Sequence, residues 1–182
     1  ATRARAQLNA ARLLDETRSD TTPEPRPLNL STTPTPERRL TFPGKMKALA
    51  EPIGSAVYAL TDSGGHQIVL LDRDGAETRR YGSGEPGFDD GPAETATFRY
   101  PQGLTCSDDA IYVADTNNHA IRRIDIRSGN VTTLAGNGTR GPILGERDID
   151  AWKAVLASVW DLEVDGDRLY FANAGTHQLG EL

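Results

Sequence analysis

The chain has 182 residues, of which 37% are apolar and 25% charged, with a mean hydropathy of -0.51, the composition of an ordinary water-soluble domain. No run approaches the roughly 18 consecutive apolar residues of a membrane-spanning helix, and the opening ATRARAQLNA lacks the apolar stretch of a signal peptide, so no membrane partner is expected. The formal charge of -6 divides unevenly: the first 40 residues hold seven Arg against five acidic residues and the remainder is acidic, without the basic stripe of a nucleic-acid footprint.

In chain order, residues 3–18 (RARAQLNAARLLDETR) place Leu8, Ala11 and Leu14 at roughly three-residue spacing among good helix formers, which predicts a short amphipathic helix over 1–18. Between Ser19 and Pro43 fall six of the eleven prolines, interleaved with Ser and Thr, the composition of an extended linker over 19–43. From residue 44 onward the texture is short β-branched and apolar runs punctuated by Gly, Asp and Asn, which predicts strands joined by tight turns.

Those strands repeat. YALTDSGGHQIVLLDRDG (58–75) aligns without a gap on YVADTNNHAIRRIDIRSG (112–129), carrying Asp62 onto Asp115 and His66 onto His119. A third copy, YFANAGTHQLGEL, sets Asn173 on Asp115 and His177 on His119, and the sequence stops inside it. Upstream, PQGLTCSDDAIYVAD (101–115) matches VWDLEVDGDRLYFAN (159–173); downstream, Gly82, Gly84 and Gly87 match Gly136, Gly138 and Gly141. Each unit reads as four antiparallel strands with an Asp-x-x-x-His turn between the second and third, the size of one propeller blade. The expected fold class is all-β, an incomplete β-propeller of about two and a half four-stranded blades (44–91, 92–141 and 142–182) behind a helix and a Pro-rich linker. Such an open array exposes an apolar face and an unpaired edge at each end, so a marginally stable or aggregating polypeptide is expected.

The run from Pro101-Gln-Gly-Leu through Ile111-Tyr-Val-Ala-Asp-Thr-Asn-Asn-His119 to Asp125 resembles the NHL repeat of β-propellers. Leu40-Thr-Phe-Pro-Gly-Lys45, VTTLAGNGTRG (131–141) and ANAGTHQL (172–179) are similar to proteins in which a thioredoxin-like domain precedes an NHL propeller. The resemblance implies that 1–18 is the last helix of a thioredoxin-like domain, 19–43 the linker and 44–182 the first blades. The sequence departs from that family in having Asn173 for Asp and a longer, partly helical lead-in to the third unit, PILGERDIDAWKAVLASVW (142–160). It also holds no Cys-x-x-Cys, so thioredoxin chemistry cannot be assigned to these residues.

The chemistry-bearing residues have structural explanations. Gly82-Ser-Gly84-Glu-Pro-Gly87 and Gly136-Asn-Gly138-Thr-Arg-Gly141 both fit G-x-G-x-x-G. Neither opens a helix in a βαβ unit, however, so positive-φ turns between blades are expected in place of a nucleotide cradle. The three histidines share one repeat position. Asp62, Asp115 and Asn173 suit backbone N–H acceptance in a tight turn with His66, His119 and His177 packing or hydrogen-bonding locally, and neither metal nor cofactor is expected there. Cys106 is expected to be a small buried hydrophobe, and as the lone cysteine it gives a cytoplasmic preference. Gln102 and Asp161, at the starts of first strands, are candidates for contact at the axial channel. Trp152 and Trp160 are expected to pack between blades, and the adjacent Arg122 and Arg123 to point to opposite faces. No nucleophile, base and orienter fall together. The functional expectation is a non-catalytic scaffold that presents loops to a protein partner; the alternatives are a redox protein whose active site lies outside these residues, or a propeller hydrolase or lyase.

Overall fold

The computed structural model describes residues 40–142 and 150–182. The expected N-terminal helix, the linker up to residue 39 and positions 143–149 of the third-unit lead-in lie outside them. Within the described part of that lead-in the only helical element is a single 3-10 turn at Ala151–Lys153.

Among the described residues eleven strands form three antiparallel sheets. The first holds β1 (Pro43–Ile53), β2 (Ala56–Asp62), β3 (Gln67–Leu71) and β4 (Glu77–Tyr81) in sequence order. The second holds β5 (Leu104–Cys106), β6 (Ala110–Asp115), β7 (Ala120–Asp125) and β8 (Val131–Ala135), again in order. The third holds β9 (Val159–Asp165), β10 (Arg168–Asn173) and β11 (Gln178–Glu181). This up-and-down order in successive small sheets is the architecture of propeller blades, as the repeat predicts. Strand β1 begins at Pro43, the last residue assigned to the linker, where it pairs with Asp62.

The sheets are held face to face by side chains that alternate along each strand. On one side of the second sheet, Leu104, Ile111, Val113, Ile124 and Val131 meet Ala59, Ile68, Leu70 and Tyr81 of the first, with Ala93, Ala96 and Phe98 of the connection filling between them. On its other side, Ala114, Ile121 and Ala135 meet Leu156, Val159, Leu162 and Phe171. Period-two alternation sends Ile111 and Val113 one way and Ala114 the other. Because both faces are covered, Ala110–Asp115 reads as an apolar run with no strictly alternating polar side.

A buried charged pair, Arg122 and Asp115, sits in this interface. Arg122, on β7, has no exposed side-chain surface. Its guanidinium donates to the Thr97 and Asp89 carbonyls at 2.9 Å each, to Asp90 Oδ1 at 2.7 Å and to Asp115 Oδ2 at 2.9 Å. The Phe88 and Phe98 rings lie 5.0 and 5.3 Å from it. Arg122 thereby pins the whole connection between the first two sheets onto the second, and only its Nε lacks a partner. Arg123, its neighbour, points the other way, to Asp109 and Asp125.

Removing the guanidinium would strand the Asp115 carboxylate in a dry interface. Arg122→Ala is expected to lower unfolding free energy by about 3–5 kcal/mol, and the double variant Asp115→Asn with Arg122→Leu to recover more than half of that loss. Urea titrations of the three chains check this; a single-variant loss no larger than that of an exposed pair contradicts it.

Candidate functional site

The repeated Asp and His positions do two different jobs. Each acid or amide ends the second strand of its sheet and accepts backbone N–H groups from the segment leading into that sheet. Asp62 Oδ1 takes Thr41 and Phe42 N–H at 2.8 and 3.0 Å, Asp115 Oδ1 takes Arg99 N–H at 2.8 Å, and Asn173 Oδ1 takes Ala157 N–H at 2.7 Å. The second carboxylate oxygen is paired with an arginine: Asp62 with Arg80 from β4, Asp115 with Arg122 from β7. Asn173 instead donates to Thr176 Oγ1 at 2.8 Å, and Gly180 stands at the register position that Arg122 fills in the second sheet.

Each histidine closes a 3-10 or equivalent turn in the left-handed region, with φ of 56° at His66, 52° at His119 and 57° at His177. The expectation of a local bond is corrected for His66 and His119, whose rings reach the following blade. His66 Nδ1 accepts from Tyr100 N–H at 3.2 Å and His119 Nδ1 from Ser158 N–H at 2.9 Å. The reason lies in the turn. Positive φ throws the imidazole out of its own sheet, and Tyr100 and Ser158 are themselves at positive φ (49° and 51°), which aims their N–H groups back at it. An imidazole that accepts at Nδ1 is neutral, with its proton on Nε2. The acid likewise binds a distant segment, its acceptor reaching residues 16 to 21 positions upstream.

Gly82 and Gly136 follow β4 and β8 at φ of 107° and 89°. A side chain at Gly82 would meet the His66 carbonyl at 2.9 Å, and one at Gly136 would meet Ala120 Cα at 2.8 Å. Among the described residues no helix opens at either glycine motif, and none there offers the N-terminus that holds a pyrophosphate.

The channel candidates come together elsewhere. Gln102 and Asp161 line one open cleft of about 200 Å³ with Gly44, Lys45, Gly103 and Trp160, where the innermost strands of three sheets converge. Lys45 donates from Nζ to Asp161 Oδ1 at 2.7 Å and to the Leu162 carbonyl at 3.3 Å. One residue pair further along, Lys47 bonds Glu163 Oε1 at 2.5 Å. Gly103 lets the second and third sheets touch here, since a side chain there would meet Asp161 Cα at 2.6 Å. Lys45 and Lys47 were not singled out in the sequence, where β1 aligns with no other copy; their spacing of two residues, matching Asp161 and Glu163, is the signal that finds them.

The expectation for Trp160 is corrected. It does not pack between blades but is 55% exposed at the cleft. A β-bulge explains this: the β9–β10 register skips Trp160 between Asp161↔Ala172 and Val159↔Asn173, which turns the indole out of the alternation. The side chain of Trp152 lies outside the described residues. Cys106 is half-buried, and burial pushes its thiol up to about 11, so it holds its proton at neutral pH. Among the described residues no three His, Cys, Asp or Glu side chains stand together as a metal-ligand group, and no helix is long and apolar enough to cross a membrane.

A model of the NHL repeat matches residues 98–124, the stretch that carried the resemblance. The chain is 37% identical over 155 residues to human NHL repeat-containing protein 2, covering 81% of this chain and 21% of that protein. It is 47% identical over 104 residues to Arabidopsis thaliana Protein SUPPRESSOR OF QUENCHING 1, chloroplastic, covering 54% of this chain and 10% of that one. A structural genomics protein of unknown function from Bacteroides thetaiotaomicron superposes with a TM-score of 0.61 at 24% identity, over 68% of this chain and 31% of that one. An auxiliary nutrient binding protein from the same organism gives 0.55 at 22%, over 72% and 36%; both likenesses are of fold. The chain spans about a fifth of the NHL relatives' length.

The two titratable positions of the second blade pull stability in opposite senses. Burial, with a contribution from Arg140, lowers the His119 pKa below its ordinary value, so its stabilisation is complete above about pH 6.5 and is lost as pH falls. Burial also outweighs Arg122 and raises the Asp115 carboxyl to about 6, so ionising it costs stability as pH rises from about 4 through 6. His119→Ala is therefore expected to cost about 1 kcal/mol at pH 8 and nothing at pH 5. Urea midpoints of this variant and the parent across that range should converge on acidification; parallel curves contradict the neutral acceptor.

Proposed function

Taking as premise that the chain carries NHL repeats folded as successive propeller blades, we propose that it is a rigid scaffold for protein–protein interaction within a thioredoxin-like–NHL protein. One observation carries the reading. The recurring polar residues Asp62, Asp115, Asn173, His66 and His119 are all consumed in holding blades and connections together. Three polar residues outside that framework, Lys45 of β1, Gln102 just before β5 and Asp161 of β9, meet at the inner-strand rim beside an exposed tryptophan. A repeat whose repeated residues are structural and whose unrepeated residues meet at one rim is built like a scaffold bearing a grafted contact surface.

The similarity to NHL repeat-containing protein 2 over 81% of this chain supports a second reading of the intact protein, as a thiol-disulfide or peroxide-linked redox protein. In that reading the propeller delivers a partner to a redox centre outside these residues, since the lone Cys106 thiol is protonated at neutral pH.

Cross-linking mass spectrometry on the full-length protein in its own cells tests both. Reversing the rim pair (Lys45→Glu with Asp161→Lys) is expected to erase specific cross-linked partners at least about tenfold while leaving the fold intact. Partners retained by this variant place the interface elsewhere. Insulin-disulfide reduction by the full-length protein, absent when an upstream Cys-x-x-Cys is mutated, supports the redox reading, and its absence from the full-length protein removes it.

A further inference from the structure

The cleft formed by Lys45, Gln102, Trp160 and Asp161 has free hydrogen-bonding groups and a definable ligand. We propose that it binds an uncharged pyranose ring, as a free sugar or as the terminal residue of a glycan. This goes beyond the scaffold reading and does not depend on it.

The argument begins with charge. Lys45 and Asp161 are paired at 2.7 Å, so the cleft presents no net charge. A cationic ligand reaching Asp161 would meet Lys45, and an anionic one reaching Lys45 would meet Asp161. Either would have to break a pair already made, so the electrostatics select a neutral ligand.

Hydrogen bonding narrows the choice. Lys45 uses two acceptors, Asp161 Oδ1 and the Leu162 carbonyl, leaving one of its three N–H groups. Asp161 takes its bonds on Oδ1, from Lys45 and from its own neighbour Leu162, leaving Oδ2. Among the described residues the Gln102 carboxamide and the Trp160 indole N–H have no partner. The cleft thus offers donors and acceptors together. A plain aromatic or aliphatic ring would leave the carboxylate and the amide covered and unpaired, whereas adjacent hydroxyls both donate and accept.

Shape and the tryptophan complete the case. At about 200 Å³ the open cleft lies below the roughly 300–1,000 Å³ of drug-sized sites and matches the size of a single ring. Trp160 is 55% exposed because a bulge turns it out, and bulges recur where a side chain is re-aimed at a site. Its indole offers an apolar face to one side of a pyranose and a polar N–H at its edge.

Saturation-transfer difference NMR of the full-length protein tests this with glucose, methyl glucoside, methyl galactoside, methyl mannoside and N-acetylglucosamine, with adenosine and acetyl-proline-amide as competitors. At least one sugar is expected to bind with a millimolar Kd, and Trp160→Ala and Asp161→Asn each to weaken it about tenfold or more. Gln102→Ala, which disturbs neither the ion pair nor the bulge, is expected to weaken it measurably with an unchanged circular dichroism spectrum. Binding of glucose but not its methyl glycoside identifies a free sugar, and binding of both a glycan terminus. Saturation transfer from no sugar, transfer unchanged by Trp160→Ala, or tighter binding of adenosine or acetyl-proline-amide overturns the proposal.

Discussion

A buried guanidinium organises this molecule. Between two sheets whose facing residues are Ala, Ile, Leu, Val and Tyr81, Arg122 makes three hydrogen bonds to the connection that links one blade to the next and a fourth to Asp115 of its own sheet, and lies beside two phenylalanine rings of that connection. Apolar packing fixes how far apart two sheets stand but tolerates sliding, because dispersion is nearly direction-free. Directional bonds from Arg122 to the Thr97 and Asp89 carbonyls remove that freedom, and the Asp115 carboxylate makes a buried charge tolerable. Asp115 in turn holds Arg99, so one residue pair sets the sheet, the connection behind it and the approach to β5.

The same problem is solved three ways in one chain. In the first sheet the cation comes from the fourth strand, Arg80, which also bonds Glu77 and Gln67. In the second it comes from the third strand. In the third the acid is replaced by Asn173, whose neutral amide needs no counter-charge, and Gly180 occupies the arginine's register position beside Phe171. What recurs is the acceptor at the end of the second strand and the N–H it holds; the countercharge is free to move or vanish. That ordering follows from energetics, since an unpaired backbone N–H in the lead-in has no alternative partner, whereas charge can be neutralised from any neighbouring strand.

Much of this architecture was legible in the sequence. The repeat gave the blades, their strand order and the coincidence of the Asp and His positions, because a repeated residue must solve a repeated geometric problem. Depth and distance were not legible. Alternation correctly sends Arg122 and Arg123 to opposite faces, but it cannot say that one face is a dry interface and the other solvent. Sequence shows only local packing or bonding partners for the histidines, while left-handed φ turns the rings of His66 and His119 toward segments 34 and 39 residues away. Trp160 was misplaced for a related reason: a single-residue bulge is invisible to period-two reading and inverts the direction of the residue it contains.

These failures mark where framework ends and individual character begins. Residues shared by the copies are those that tie a lead-in to its own sheet or one blade to the next, so they are constrained by the array and are poor material for a specific surface. Residues that the copies do not share, Lys45, Gln102, Trp160 and Asp161, meet where three inner strands converge, and each sheet contributes a different chemistry. Close approach at Gly103 brings these side chains together without spending any of them on the approach itself. A propeller can vary its rim blade by blade while its interfaces stay fixed, because the inner strand needs only its backbone bonds and alternate apolar side chains to remain in place. The ion pair between Lys45 and Asp161 shows the limit of that freedom. It joins the first sheet to the third, so recognition at the rim and cohesion of the array share one bond, and a change at either residue must act on both.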